Sequence, residues 1–209
     1  TVMMKQRGIL VVVSGFSGVG KGTIMKRLTE KYDNYALSVS ATTRDPRAGE
    51  TDGKDYFFHT AEEFQRMIAC DELVEYACYC GNYYGTPRKY VEDQMERGRD
   101  VILEIEIQGA LKIKAKYPDA LLLFVMPPDG ETLKKRLSGR NTETPEVIEA
   151  RLKRASAEAD GIESYDYILV NDDLEKCVDE LHSLIACQHW QVKRNLDFIS
   201  RVRGQIKEF

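Results

Sequence analysis

Cysteine, histidine and long apolar runs are all scarce in this chain, and each scarcity removes a class of function. The 5 cysteines, Cys70, Cys78, Cys80, Cys177 and Cys187, make an odd and scattered set. They supply neither a disulfide framework nor the paired clusters of a tetrahedral zinc site, and a reducing compartment is the simplest setting for them. Cys78 and Cys80 lie one residue apart in a mostly apolar stretch and read as buried free thiols. The 3 histidines, His59, His182 and His189, have no metal-ligand spacing and read as structural or exposed. After Lys5 and Arg7 the first apolar run is too short for a signal-peptide core or a membrane span, so a soluble, cytoplasmic protein with no membrane partner is expected. A basic excess is missing too. The net charge of −4, with both signs well represented, speaks against a general nucleic-acid binder, because affinity for a phosphate backbone needs a positive field. Internal repeats and low-complexity tracts are lacking.

What is present is enough chain, 209 residues, to bury a sizeable core in one large domain or in a core with one or two insertions. Four apolar runs, Ile9 to Val13, Val101 to Ile107, Ala120 to Val125 and Tyr165 to Val170, have the length and β-branched content of buried parallel strands. Amphipathic helical segments follow them, which predicts an α/β fold with a parallel sheet. Ala36 to Ser40 is a shorter fifth strand candidate. Between Ala41 and Gly85 the pattern changes to Tyr, Thr, Gly and charge, with strand-like pieces at Tyr56 to Phe58 and Leu73 to Tyr79. Thr60 and Glu63 there have capping-box spacing ahead of Phe64, Met67 and Ile68, so a short helix begins. The polar stretch Ser138 to Thr144, closed by the helix start Thr144-Pro145, reads as a hinged flap, and Leu174 to Phe209 reads as mostly helical. The expected division is a core of residues 1–40, 87–137 and 152–209, an insertion of 41–86 and a helical lid of 138–151.

The first strand runs into Gly15-Phe16-Ser17-Gly18-Val19-Gly20-Lys21-Gly22-Thr23, which opens a helix containing Ile24, Met25 and Leu28. Glycines let the backbone curl with its N–H groups inward, Lys21 adds a mobile cation, and the helix N-terminus adds partial positive charge. The result is a cradle for a triphosphate. The usual pattern places Ser or Thr directly after the lysine. Here Gly22 intervenes, so Thr23 is a candidate for phosphate or magnesium binding from one place later. In Val101 to Ile107 the two-residue period puts Glu104 and Glu106 on one face near the carboxyl end of a strand, where open α/β sheets bind ligands. Arg136 and Arg140 are four residues apart, and Arg151 and Arg154 three apart, so each pair shares a helical face.

From Ser40 the chain reads Ser-Ala-Thr-Thr-Arg-Asp-Pro-Arg-Ala-Gly-Glu and then Gly53-Lys54-Asp55-Tyr56-Phe57-Phe58. With Gly81-Asn82-Tyr83-Tyr84-Gly85-Thr86, Gln108-Gly109, the arginine-rich Arg136 to Arg151 and Val170-Asn171-Asp172-Asp173, the sequence resembles the guanylate kinase family over almost its whole length. The resemblance implies a P-loop kinase core in which the insertion binds GMP and the lid closes over ATP. It implies that Arg44, Arg47, Tyr56 and Tyr84 grip the GMP phosphate and that Ser40, Glu75 and Thr86 read the guanine. Arg140 and Arg151 would close over the transferring phosphoryl group with Arg136 nearby. Asn171 matches a position associated with the ATP base, and an Asn-Asp turn explains it locally as well. Family members commonly carry Asp where this chain has Glu104 and Glu106. Those two would share magnesium placement and GMP contact in a division left open, with Thr23 and Glu104 as the metal candidates.

The chemistry agrees with these assignments. Arginine forks bind phosphate oxygens in pairs, and a carboxylate suits the N1–H and N2–H donors of guanine. Phosphoryl transfer rests on positioning and charge neutralisation by the loop amides, Lys21, Mg²⁺ and arginines. The acceptor is a phosphate with a second pKa of about 6, so no general base is required. Tyr83, Phe57 and Phe58 read as packing residues. A rival of another class is a peptide-binding module of the same fold, against which the complete glycine loop and Lys21 argue. A homodimer stays open.

Overall fold

The computed structural model describes residues 7–79, 81–138, 149–150, 152–153, 155–156 and 159–209. Along the chain run β1 (Leu10–Gly15), α1 (Lys21–Lys31), β2 (Tyr35–Leu37), β3 (Ala41–Thr42), β4 (Phe57–Phe58), α2 (Ala61–Ala69), β5 (Leu73–Tyr79), β6 (Asn82–Pro87), α3 (Arg88–Glu96), β7 (Asp100–Glu104), α4 (Ile107–Lys116), β8 (Leu121–Met126), α5 (Gly130–Ser138), β9 (Tyr167–Val170), α6 (Leu174–Gln188) and α7 (Leu196–Ile206). Five strands form a sheet in the order β2-β7-β1-β8-β9, and all of its pairings are parallel.

The central strand β1 is apolar on both sides because both sides are covered. Ile9, Val11 and Val13 enter one core with Ile24 and Leu28 of α1 and with Val178, Leu181 and Ile185 of α6. Leu10 and Val12 enter the other with Val91 of α3 and with Ala110 and Ile113 of α4. The alternation follows from the two-residue period of a strand. Because the pairings are parallel, the carboxyl ends of the strands lie at one edge of the sheet, and the phosphate loop follows β1 there.

The strand predicted at Tyr165 begins two residues later, and its burial differs from expectation. β9 is an edge strand on which Tyr167, Ile168 and Val170 are 42%, 55% and 42% exposed. An apolar run indicates strand, but only the sheet order decides whether a strand is covered on both sides.

The insertion folds as a second sheet of four strands, ordered β4-β3-β6-β5, around Ala41, Phe64, Met67 and Leu73. The helix expected after Thr60 is present with both reciprocal bonds of the capping box, and Phe64 stacks on Tyr83 with ring centroids 5.3 Å apart. The insertion is tied into the core through β5, because Val74 packs into the α3/α4 side of the main sheet while its neighbour Leu73 stays in the small core. Two histidines also have packing roles. His182 stacks on Tyr32 at 3.7 Å, and His189 Nε2 lies 2.9 Å from a carboxylate oxygen of the buried Asp100.

Candidate active site

The phosphate loop gets its shape from three glycines. A Cβ on Gly15 would lie 2.6 Å from the Val125 carbonyl oxygen. Gly18 and Gly20 take φ of 80° and 98°, left-handed backbone that other residues adopt only with strain. A Cβ on Gly20 would also meet Asn171 Nδ2 at 2.7 Å. The Ile24 amide donates to the Gly20 carbonyl at 3.0 Å, so the helix ladder opens at Gly20, and the N-terminal end of α1 favours an anion. Lys21 Nζ curls over the loop and donates to the carbonyls of Gly15 at 2.6 Å and Phe16 at 3.3 Å. Gly22 and Thr23 are exposed in the first turn of the helix.

Two groups from distant parts of the chain brace this loop at one atom. The Val19 carbonyl accepts from Asn171 Nδ2 at 2.8 Å and from the Arg136 guanidinium at 3.4 Å. Asn171 is buried, so its amide nitrogen is engaged in holding the phosphate loop, a role that local sequence did not suggest.

The acidic segment departs from expectation. β7 stops at Glu104, the lateral neighbour of Val13 in β1. Glu106 is instead the residue capping α4, with φ −74° and ψ 161°, so the two carboxylates do not share a strand face. Ser14 Oγ donates to the Ile105 carbonyl at 2.6 Å, just beyond the end of the strand. Both carboxylates still reach the same cleft. Desolvation pushes the Glu104 carboxyl up, and the nearby Lys21 charge opposes the shift.

That cleft, of about 700 Å³, lies between the carboxyl edge of the main sheet and the insertion, and Ser40, Tyr56, Glu75, Tyr84, Glu104 and Glu106 line it. Glu75 sits in an irregularity of β5, where the pairing with β6 slips between Leu73 and Tyr76. Such bulges re-aim side chains. Thr86 is fully buried and donates from Oγ1 to Glu75 Oε1 at 2.8 Å, so it meets the cleft through Glu75. Desolvation raises the Glu75 carboxyl above the ordinary range. The Thr86 hydrogen bond and the Lys112 charge pull it back.

Arg44 and Arg47 are not among the residues that line the cleft, and they stand in different states. The Arg44 guanidinium donates to Glu50 Oε1 at 2.8 Å and to the Asp45 carbonyl at 2.7 Å, and it lies 5.3 Å from the Tyr56 ring centroid. Glu50 also accepts the Arg47 amide at 2.8 Å. The Arg44 hydrogen bond and the Arg47 amide hold the Glu50 carboxyl below its usual range. Arg47 itself is exposed. Glu50 closed the Ser40 motif in the sequence but was given no role there, although it is a carboxylate six residues after an arginine in a polar loop. Ala77 and Ile105 were not singled out in the sequence, and Gln108 only as part of a motif, yet all three line the cleft. Cys78 was expected to be buried. It is exposed and lines the cleft, in a stretch of β5 where Tyr76 and Ala77 are exposed as well. Arg140 and Arg151 lie outside the described residues.

The family model described as guanylate kinase matches residues 7–188. The chain belongs to the guanylate kinase family. It is 46% identical over 202 residues to a guanylate kinase of Caldanaerobacter subterraneus subsp. tengcongensis, covering 97% of this chain and 98% of that protein. It is 48% identical over 204 residues to one of Lactococcus lactis subsp. lactis, covering 98% and 100%. The crystal structure of guanylate kinase from Anaplasma phagocytophilum superposes with a TM-score of 0.73 at 35% identity, covering 94% of this chain and 95% of that one. The guanylate kinase reaction, transfer of the terminal phosphoryl group of ATP to GMP, is accordingly the activity of this chain. Among the described residues no helix is long and apolar enough to cross a membrane, and no three metal-ligating side chains come together.

Proposed function

We propose that the guanylate kinase transfer runs in the cleft between the phosphate loop and the insertion, with ATP on Gly15 to Thr23 and GMP against residues 41–86. The observation that carries this reading is a desolvated Glu75, held by Thr86, facing the same cleft as Glu104 beside the phosphate-loop strand. In this reading Ser40 and Glu75 read the guanine with Thr86 behind Glu75, and Arg44, Arg47, Tyr56 and Tyr84 take its phosphate. Lys21 leaves the Gly15 and Phe16 carbonyls to follow the phosphoryl group, while Arg136 and Asn171 keep the loop in shape. Arg140 and Arg151 in the 138–151 lid complete the charge around the transferring group. Residues 1–40, 87–137 and 152–209 form the rigid core, and closure of the other two bodies excludes water.

The donor set suits Mg²⁺, which keeps most of its waters and takes one or two hard protein oxygens beside substrate phosphates. The exposed Thr23 hydroxyl and the Glu104 carboxylate would hold it, and when bound it neutralises charge on the ATP phosphates. The setting is the cytoplasm, where the exposed thiols of Cys70, Cys78 and Cys187 stay reduced. A homodimer would bury exposed apolar side chains of the C-terminal segment such as Leu196, Phe198 and Ile206. Coupled ATP assays with GMP, AMP, CMP and UMP test the reading. GMP alone should be a good acceptor, and comparable use of AMP would refute the assignment of Glu75.

A further inference from the structure

Glu75 forms part of the wall between two cavities. One is the cleft just described. The other, of about 250 Å³, lies behind β5 against α4, and Glu75, Asp71, Lys112 and Lys116 are among its lining. Gly109, Lys112 and Lys116 are spaced three and then four residues apart, so they share the face of α4 that packs against β5. A Cβ on Gly109 would come within 3.4 Å of Glu75 Oε2, so the Glu75 carboxylate rests against the helix backbone one turn before Lys112.

The charges around Glu75 are unevenly balanced. The cleft that Glu75 faces is also lined by Glu104, Glu106, Tyr56, Tyr84 and Cys78. Behind it, Asp71 is paired with Lys116 at 2.8 Å and with Arg88 at 2.6 Å. Among the described residues, Lys112 is therefore the cation of the rear cavity that has no carboxylate at ion-pair distance, and its charge acts on Glu75.

We propose that Lys112 is a positioning residue for guanine selection, holding Glu75 from behind as an ionised carboxylate that presents only acceptors to the cleft. The inference rests on the reading of Glu75 as the guanine contact. Its consequence follows from hydrogen-bond inventory. An ionised carboxylate accepts both guanine donors, whereas a protonated one carries a donor beside an acceptor. That second pattern suits the N1 acceptor and amino donor of adenine. Loss of the Lys112 charge thus weakens GMP use and also relaxes discrimination, and it does so most where Glu75 protonates most easily.

The test compares Lys112→Met, Lys112→Gln and Lys112→Arg with the parent enzyme and with Glu75→Gln. It follows kcat/KM for GMP and for AMP from pH 5 to pH 9 at saturating ATP, with thermal melts to confirm folding. GMP carries its own phosphate titration near a pKa of about 6, common to all variants, so only differences between profiles count. In Lys112→Met and Lys112→Gln the acid limb for GMP should move up by on the order of half a pH unit to one unit, as expected for removing an exposed neighbouring cation. Their efficiency at pH 9 should lie within about twofold of the parent, and their GMP-to-AMP ratio should fall as pH is lowered. Lys112→Arg should restore the parent profile. An unmoved acid limb, or a loss uniform across pH, overturns the proposal while a collapse of GMP use in Glu75→Gln leaves Glu75 as the guanine contact. Full GMP efficiency in Glu75→Gln would instead overturn the reading of Glu75 and this inference with it.

Discussion

Replacing Thr86 by Val isolates a single hydrogen bond at the base-reading site. Val keeps the branched shape that a fully buried strand position needs, and only the donor to Glu75 Oε1 at 2.8 Å disappears. A hydrogen bond to a charged group contributes about 1.5–3 kcal/mol. If that support is expressed in holding Glu75 on guanine, kcat/KM for GMP should fall roughly tenfold to a hundredfold, with KM for ATP unchanged. The same loss should lower Tm by roughly 3–12 °C for a domain of this size. The sign with pH follows from the carboxyl. Desolvation raises Glu75 and the Thr86 bond opposes that rise, so removing the bond raises Glu75 further and penalises the ionised form. The stability deficit should be full where Glu75 is ionised in the folded protein, and it should shrink as pH falls through the raised pKa. Steady-state kinetics and calorimetry at pH 7.5 and pH 5, with Thr86→Ser as the hydroxyl-retaining control, measure both. Parent-like GMP efficiency in Thr86→Val would refute the argument that Thr86 acts by holding Glu75.

Three further outcomes are expected. Lys21→Ala should lose at least about a hundredfold in kcat while the protein still melts cooperatively, because Lys21 lies in a ligand loop, donating to the Gly15 and Phe16 carbonyls, and acts on developing charge. Turnover close to the parent in the folded variant would contradict this. Gly20→Ala adds a Cβ at a φ of 98° against Asn171 Nδ2, so KM for ATP should rise roughly tenfold through about 1–2 kcal/mol of backbone strain and a displaced brace. Adding Asn171→Ala should not restore it, since the strain remains and the brace is gone; full rescue would show that the clash alone mattered. Glu50→Gln removes the partner that anchors Arg44, so KM for GMP should rise. Because Glu50 is depressed in the folded protein, its contribution to stability is present above the ordinary glutamate pKa and is lost as pH falls through the depressed value. The Tm difference between parent and Glu50→Gln should therefore be largest near neutrality and close at low pH. A constant difference would mean that the Arg44 pair is not its source.

The phosphate loop was legible in the sequence because its backbone conformation is set locally, whereas its braces from Arg136 and Asn171 come from far along the chain. Glycines at left-handed positions, a lysine and a helix start have one local solution. The strands β1 and β8 and the capped helix α2 were legible for the same reason, since period and capping are properties of short windows. Glu106 lies where local periodicity stops being informative. The period-two rule holds only while a strand continues, and here it ends at Glu104, where Ser14 of a different strand takes up the Ile105 carbonyl.

The amino-acid sequence by itself determined most of the strand and helix segments, which loop is the candidate phosphate cradle and which family resemblance the insertion carries. The tertiary structure alone decided which groups meet. Asn171 reaches Val19 across 152 residues and Ser14 reaches Ile105 across 91; Thr86 finds Glu75 only through a slipped pairing of β5 with β6. Burial of β9 and of Cys78 also depended on what packs beside them. Hydrogen bonding and desolvation act over a few ångströms in space, and the order of strands in a sheet is what sets those distances for residues far apart in the chain.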